Sequence, residues 1–497
     1  MRKKISSLAS LVEGAKIIGR KETFITDIVQ DSRQVTHGAM FVCLDGAHVD
    51  GHEFIPQAVA KGAVAIITER SNVSVPDGIA ALVVPNIEEA LQKIVPFAFD
   101  YPSRSMRMIG ITGTNGKTTT SYLIRAILRE AHKKVGLIGT IQIMIGDKIL
   151  PVHNTTPNVV DLQRTLAMMR DEGMDYVVME VSSHALDQNR VAGCEFDTAV
   201  FTNLTQDHLD YHKTMENYRA AKAKLFASLV DGIKPQKTAV VNIDDEAGAF
   251  MLASADESVE RVTFGANDES ADIKAAQIRV HQTGSDFTVR GGFGRVPLRL
   301  RITGMFNVYN VLGAFGACAA EEIPVETITR ALENFKGVPG RFELVDCGQP
   351  FAVIVDYAHT PDGLENILTT ARQITEHHII TVFGCGGDRD KTKRPIMGRI
   401  AASMSDAVIL TSDNPRTEDP EAILSDVAVG VEEKIGVKPY EKIADRQEAI
   451  FVAIAMAQPG DTVVIAGKGH EDYQILADKT IHFDDREVAR EALGGIV

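Results

Sequence analysis

The sequence predicts an α/β protein of three domains: a central, doubly wound P-loop-type ATPase domain, a small N-terminal α/β domain and a C-terminal Rossmann-like α/β domain. Three observations predict it. Short apolar runs alternate with longer amphipathic stretches, the rhythm of parallel-sheet βαβ units. A glycine-rich turn ending in Lys-Thr joins one such run to an amphipathic stretch. A chain of 497 residues also exceeds what one hydrophobic core organises.

In chain order, GAMFVCL, a helical stretch around Pro56–Lys61 and AVAIITE form the first set. After the turn-like Tyr101-Pro102-Ser103 the runs MRMIGIT, KVGLIGT, DYVVMEV and DTAVFTN form the second. Beyond Gly337-Val338-Pro339-Gly340, the runs PFAVIVD, IITVFG, AVILTS and DTVVIAG read as buried strands of the third. The expected domains are residues 1–100, 101–337 and 338–497.

Composition excludes several function classes. With 44% hydrophobic and 24% charged residues the chain is an ordinary globular one. A formal charge of −15, without a basic run, opposes attraction to nucleic acid or anionic membrane. The five scattered cysteines suggest neither a disulfide framework nor a zinc site. No secretion signal is visible, and no stretch approaches the ~20 apolar residues of a membrane helix. The expected protein is cytoplasmic, a monomer, with no nucleic-acid partner and no membrane insertion.

The segment Thr112-Gly113-Thr114-Asn115-Gly116-Lys117-Thr118-Thr119-Thr120 follows an apolar strand and opens a helix. Glycines let backbone N–H groups turn inward around phosphate oxygens, and the helix N-terminus adds partial positive charge. Lys117 would reach the β/γ-phosphates of ATP, and the Thr118 hydroxyl would bind Mg²⁺. The match to the usual phosphate loop is imperfect, because Ile111 stands where its first glycine would be.

Glu180 ends the run Tyr176-Val177-Val178-Met179. Strand ends face the ligand crevice in such sheets, and a carboxylate there offers oxygen to Mg²⁺. In FTNLTQDHLDYH, Asp207, His208, Asp210 and His212 crowd another strand end, which points to metal or phosphate contact. An incidental surface loop is the plainer alternative. From its position alone, Lys222 reads as a solvated helix lysine.

Together, TGTNGKTTT, EVSSH, FTNLTQDHLDYH, YRAAKAKLF, GMFNVYNVLGA, GVPGRFE and VDYAHTPDGLE resemble the Mur ligase family, in family order and over nearly the whole chain. The resemblance implies an ATP-dependent ligase of peptidoglycan precursor synthesis, which activates a carboxylate as an acyl phosphate. It implies magnesium contacts at Glu180 and His208, and a Lys222 carried as a carbamate derived from CO₂. It also implies nucleotide contacts at Asn310 for adenine, Arg341, and Asp356 for ribose. Contacts to the acceptor, UDP-N-acetylmuramoyl-L-alanyl-D-glutamate, would come from Asn154, Thr155, Thr156, Ser182, Gln188 and Arg190. Ser32, with Ala47, His48 and Val49, would touch its uridine diphosphate end.

The likeness is strongest to the branch that adds meso-diaminopimelate. That amino acid carries a carboxylate and an ammonium at its far end. Arg416, in Asp413-Asn414-Pro415-Arg416, could grip the carboxylate as a planar fork. Glu471 could take the ammonium, with Arg389 and Gly467 completing the pocket. Rival readings are a folylpolyglutamate synthetase, which would not need TSDNPR, and a GTP-binding switch. No NKxD string for guanine is present.

Overall fold

The computed structural model describes residues 1–45, 50–152, 154–281, 284–436 and 438–494. The chain divides into two compact units. The first holds Met1–Gly110, Lys133–Asp197 and Ser228–Lys237, and the second Ile111–His132, Thr198–Ala227 and Thr238–Val497. Strand Arg107–Thr112 carries the chain from the first into the second.

The first unit contains a five-stranded sheet in the order Lys16–Ile18, Ala80–Val83, Ala65–Thr68, Ala39–Val42, Asp27–Val29. Its last four strands are parallel and the first antiparallel. Side chains alternate between two cores because successive Cβ atoms point to opposite faces. Met40, Val42, Ile67 and Leu82 enter one core, and Phe41, Ile66 and Ala81 the other. Helix Ile87–Ala98, capped by the Asn86 side chain on Glu89 N–H, covers the first face. The same unit holds the parallel pair Val135–Ile138 and Tyr176–Glu180.

The second unit holds parallel strands Thr198–Phe201, Thr238–Asn242 and Glu260–Gly265. Ile273–His281, Gly284–Gly291 and Gly294–Leu300 then form an antiparallel meander. It also holds a six-stranded sheet whose inner strands Ala352–Asp356, Thr462–Ala466, Ile379–Phe383 and Ala407–Leu410 run parallel. Alternation again builds two cores: Ile354, Val464, Phe383 and Leu410 face one, and Val355, Val463, Val382 and Ile409 the other. Every parallel strand expected from the sequence forms. Their carboxyl ends deliver Thr112, Glu180, Asp356, Leu410 and Ala466 to loops, as doubly wound sheets require. Among the described residues no helix is long and apolar enough to cross a membrane.

Candidate active site

Two glycines make the phosphate loop possible. Gly113 (φ 149°) and Gly116 (φ 85°) lie at positive φ. A Cβ would stand 1.9 Å from the Thr202 hydroxyl at Gly113, and 2.2 Å from Asn310 Oδ1 at Gly116. Helix Lys117–Glu130 starts directly after Gly116.

The segment after strand Thr198–Phe201 sheathes this loop. Thr114 N–H donates to the Asn203 carbonyl (2.8 Å), and Asn115 N–H to Asn203 Oδ1 (2.9 Å). Asn203 Nδ2 and Thr202 Oγ1 both donate to the Asn115 carbonyl, at 3.1 and 2.7 Å. Thr114 Oγ1 donates to the Thr205 carbonyl and meets the Tyr218 hydroxyl, each at 3.1 Å. Lys117 Nζ lies along the loop, donating to the carbonyls of Gly113 (2.9 Å) and Thr114 (2.7 Å).

Lys222 lies on helix Met215–Ala227 and is buried, 1% exposed. Its Nζ donates to the Gly113 carbonyl at 2.7 Å and sits over the Tyr218 ring. Burial, then the neighbouring Lys117 charge, push this amine well below the ordinary lysine value, with Asp207 opposing. The solvated-lysine reading is therefore overturned: the lysine faces inward between Tyr218 and the phosphate loop.

The crowded FTNLTQDHLDYH group divides. Asp207 is buried, while Asp210 is exposed. His212 is buried and packs against Tyr218 at 5.2 Å between ring centroids, a structural role. His208 adopts φ 56°, and its Nε2 lies 3.3 Å from Asp207 Oδ2. Burial pushes Asp207 up, but His208, Lys393 and His359 outweigh it, leaving the carboxyl below its ordinary range. His359 is pushed down to about 4, chiefly by burial and then by Lys393. Its Nδ1 sits 2.8 Å from the Tyr357 carbonyl, so neutral His359 donates there and keeps Nε2 as acceptor.

Arg341 reaches this region from the other side. Its Nη2 donates to Thr118 Oγ1 at 3.1 Å, and the guanidinium stacks on Tyr357. Asn115 Nδ2 donates to Asp362 Oδ2 at 2.6 Å, at the start of helix Pro361–Ile374. Asp356 accepts the N–H groups of Phe342 and Ala358, and burial raises its pKa. Asn310 is buried beside Gly116 and donates to Asn307 Oδ1.

In the first unit Glu180 is fully buried. Its carboxylate accepts from Thr140 N–H (3.0 Å) and Thr140 Oγ1 (2.9 Å). Thr156 Oγ1 donates to the Glu180 carbonyl and accepts from Ser182 N–H. Thr155 meets Thr140 at 3.1 Å, and Arg190 donates to the Thr156 carbonyl and to Gln188 Oε1. Asn154 is exposed next to this group in sequence. Ser32 donates to Gln57 Oε1 at the wall of a cavity of about 620 Å³, lined also by Phe41, Leu44 and Phe54. Ala47, His48 and Val49 lie outside the described residues.

Three strand-end loops of the second unit interlock through side-chain hydrogen bonds. Arg416 (φ 54°) donates through Nη1 to the carbonyls of Gly387 (2.9 Å) and Asn414 (3.4 Å). Burial and then Arg389 lower its pKa, while Asp413 and Glu471 oppose them. Arg389 is exposed. Asn414 Nδ2 donates to Glu471 Oε2 (2.9 Å), and the buried Lys468 donates to the same oxygen (2.8 Å) and to Asn414 Oδ1 (3.2 Å). A Cβ on Gly467 would stand 2.5 Å from Asp413 Oδ2, and one on Gly387 1.8 Å from the Pro415 carbonyl.

Three family descriptions match the chain in succession: "Mur ligase family, catalytic domain" at 24–100, "Mur ligase middle domain" at 111–318, and "Mur ligase, glutamate ligase domain" at 340–469. A UDP-N-acetylmuramoyl-L-alanyl-D-glutamate–2,6-diaminopimelate ligase of Geobacillus thermodenitrificans is 48% identical over 494 residues, 99% of each chain. The chain belongs to the Mur ligase family. A Bacillus cereus protein of the same name is also 48% identical, over 495 residues and 99% of each chain. This Mur ligase is likewise similar to a solved structure bearing that name, with 33% identity, TM-score 0.67, and coverage of 100% and 99%. MurF from Acinetobacter baumannii shares the fold at TM-score 0.70 and 22% identity, covering 94% and 95%.

Sequence reasoning missed several residues that build the site of this Mur ligase: Thr202, Asn203, Tyr218, Asp362, Lys393 and Lys468. Thr202 and Asn203 stand inside the FTNLT string, and their position directly after a strand end was the available signal. Thr140 beside Glu180 gave none, since a plain Gly139-Thr140 follows strand Val135–Ile138.

Proposed function

We propose that this Mur ligase joins meso-diaminopimelate to UDP-N-acetylmuramoyl-L-alanyl-D-glutamate at the expense of ATP, in cytoplasmic peptidoglycan precursor synthesis. The similarity to diaminopimelate ligases along 99% of the chain supports this most directly. The Asp413–Arg416 loop locked against Lys468 and Glu471 is the feature that fits the amino acid. We assign residues 1–100 to acceptor binding, 101–337 to ATP and 338–497 to the amino acid.

A carboxylate and an amine do not condense at neutral pH, because hydroxide leaves poorly. The acceptor carboxylate oxygen attacks the γ-phosphorus of ATP, the bond to ADP breaks, and an acyl phosphate forms. The neutral amine of diaminopimelate attacks the acyl carbon. The tetrahedral adduct expels orthophosphate and gives up an amine proton, leaving the amide. Such phosphoryl transfer is mostly positioning and charge neutralisation.

In this reading the loop from Gly113 to Thr119 carries the phosphates. Lys117 leaves its loop carbonyls for phosphate oxygens, while Asn310, Arg341 and Asp356 hold the nucleoside. Mg²⁺ would supply charge neutralisation at the phosphate oxygens, held by Thr118, Glu180 and His208. The donor set fits a hard cation, since Glu180 is a buried carboxylate, an oxygen ligand of the type such ions take, oriented by Thr140. Burial, and then the Lys117 charge, lower the basicity of Lys222 and so favour the neutral form of the amine, the form that would add CO₂ with loss of one proton to give an anionic carbamate. Asn154, Thr155, Thr156, Ser182, Gln188 and Arg190 receive the peptide arm, and Ser32 with Ala47, His48 and Val49 the uridine diphosphate.

Phosphate release from ATP tests the assignment. It should require the UDP-muramyl dipeptide and meso-diaminopimelate together. Equal release with L-lysine removes the specificity, and release driven by a folate removes the substrate class.

A further inference from the structure

Arg446 is 2% exposed and Asp485 fully buried, yet neither belongs to a motif with an assigned role. Arg446 opens helix Arg446–Met456, and Asp485 opens helix Asp485–Gly494. They form a two-pronged ion pair: Nε to Oδ1 and Nη2 to Oδ2, each 2.7 Å. The guanidinium reaches further. Nη2 donates to the Ala466 carbonyl at 3.0 Å, and Nη1 to the Ser412 carbonyl at 3.4 Å.

Those carbonyls have a particular address. Ala466 ends strand Thr462–Ala466 and precedes Gly467. Ser412 precedes Asp413. The Arg446 fork therefore grips both loops one residue upstream of the Asp413–Arg416 and Gly467–Glu471 segments. Their tolerance is small, because a Cβ on Gly467 would already stand 2.5 Å from Asp413 Oδ2. Burial opposes the Arg446 charge, but Asp485, and after it Asp413 and Glu471, outweigh burial.

A buried ion pair is a poor choice for stability alone, since apolar residues of similar volume often serve as well or better. Directional bonds to two carbonyls are what an apolar pair cannot supply. Lysine cannot supply them either, having no planar fork. We propose that Arg446, anchored by Asp485, is a positioning residue that sets the spacing of the two loops of the amino-acid pocket. This rests on the amino-acid pocket assigned above.

The test uses the full-length enzyme, wild type beside R446K and the double variant R446M/D485L. Melting temperature, kcat, and KM for ATP, UDP-muramyl dipeptide and meso-diaminopimelate are measured for each. The expected result is a rise of ~10-fold or more in KM for diaminopimelate, with the other two KM values within ~2-fold. The double variant should melt within a few degrees of wild type. R446K, which keeps the charge facing Asp485, gives the same readout should the double variant fail to fold. Unchanged diaminopimelate KM in a folded variant overturns the positioning role, as does an equal rise in all three KM values. A wild type without diaminopimelate-dependent phosphate release overturns the pocket assignment instead, and the spacing role is then read on whichever amino acid supports turnover.

Discussion

Lys222 and Gly113 share a hydrogen bond of 2.7 Å, so a fully interior amine is tied to the first glycine of the phosphate loop. Lys117 donates to the same carbonyl. Two amines meet on one oxygen, and burial together with the Lys117 charge disfavours a positive charge on Lys222. Conversion of Lys222 to a carbamate would turn mutual repulsion into attraction. Lys222→Ala should lose turnover almost completely and regain part of it with added short carboxylates such as acetate or formate. Intact mass under bicarbonate should show CO₂ added to wild type and none added to the variant. Full activity of Lys222→Ala would remove the carbamate from the account.

Arg416 should discriminate the far end of the amino acid. Arg416→Lys keeps a positive charge but loses the fork, so KM for meso-diaminopimelate should rise several-fold or more while KM for ATP holds. Glu471 is already held by Lys468 and Asn414, which makes its share in binding an ammonium smaller than a solitary carboxylate's. Unchanged KM in Arg416→Lys would take Arg416 out of the pocket.

Asp362 ties the phosphate loop to helix Pro361–Ile374 through Asn115. Asp362→Ala should leave the Asn115 amide without that acceptor and loosen the loop. KM for ATP should rise ~3–10-fold, about 1 kcal/mol, with little change for diaminopimelate. Equal ATP affinity, measured by calorimetry, would make the contact dispensable.

Glu418 gives a pH signature away from the reacting groups. Its pKa falls from the ordinary glutamate value to about 2, through hydrogen bonding by Arg394. A depressed carboxyl stabilises the fold above its unfolded value, near 4.5, and that contribution fades as pH drops towards 2. Glu418→Gln should therefore be less stable than wild type at pH 7, by on the order of 1 kcal/mol. The gap should narrow below about pH 4.5 in denaturant titrations. A gap that is constant from pH 7 to pH 3 would contradict the assignment.

The apolar runs made the parallel strands legible, because both faces of Ile379–Phe383 or Thr462–Ala466 are buried and a single threonine is the one polar residue in each. The meander Ile273–Leu300 was not legible, since Gln277, Arg279 and Arg295 face solvent along strands that cover one core only. Within the site, Gly113 to Thr118 and Glu180 could be read from local pattern, as strand-end chemistry. Lys222 could not, because its burial depends on Tyr218 and a loop 109 residues earlier. Arg446 and Asp485 were silent for the same reason: an arginine and an aspartate 39 residues apart have no pattern until two helices bring their first turns together.

Oxygen transfer tests the central claim most directly. The acceptor dipeptide, labelled with heavy oxygen in the glutamate carboxylate that is joined, is turned over with ATP and meso-diaminopimelate. Mass analysis of the released orthophosphate should find one labelled oxygen per amide formed. Orthophosphate free of label would contradict an acyl phosphate formed over Lys117.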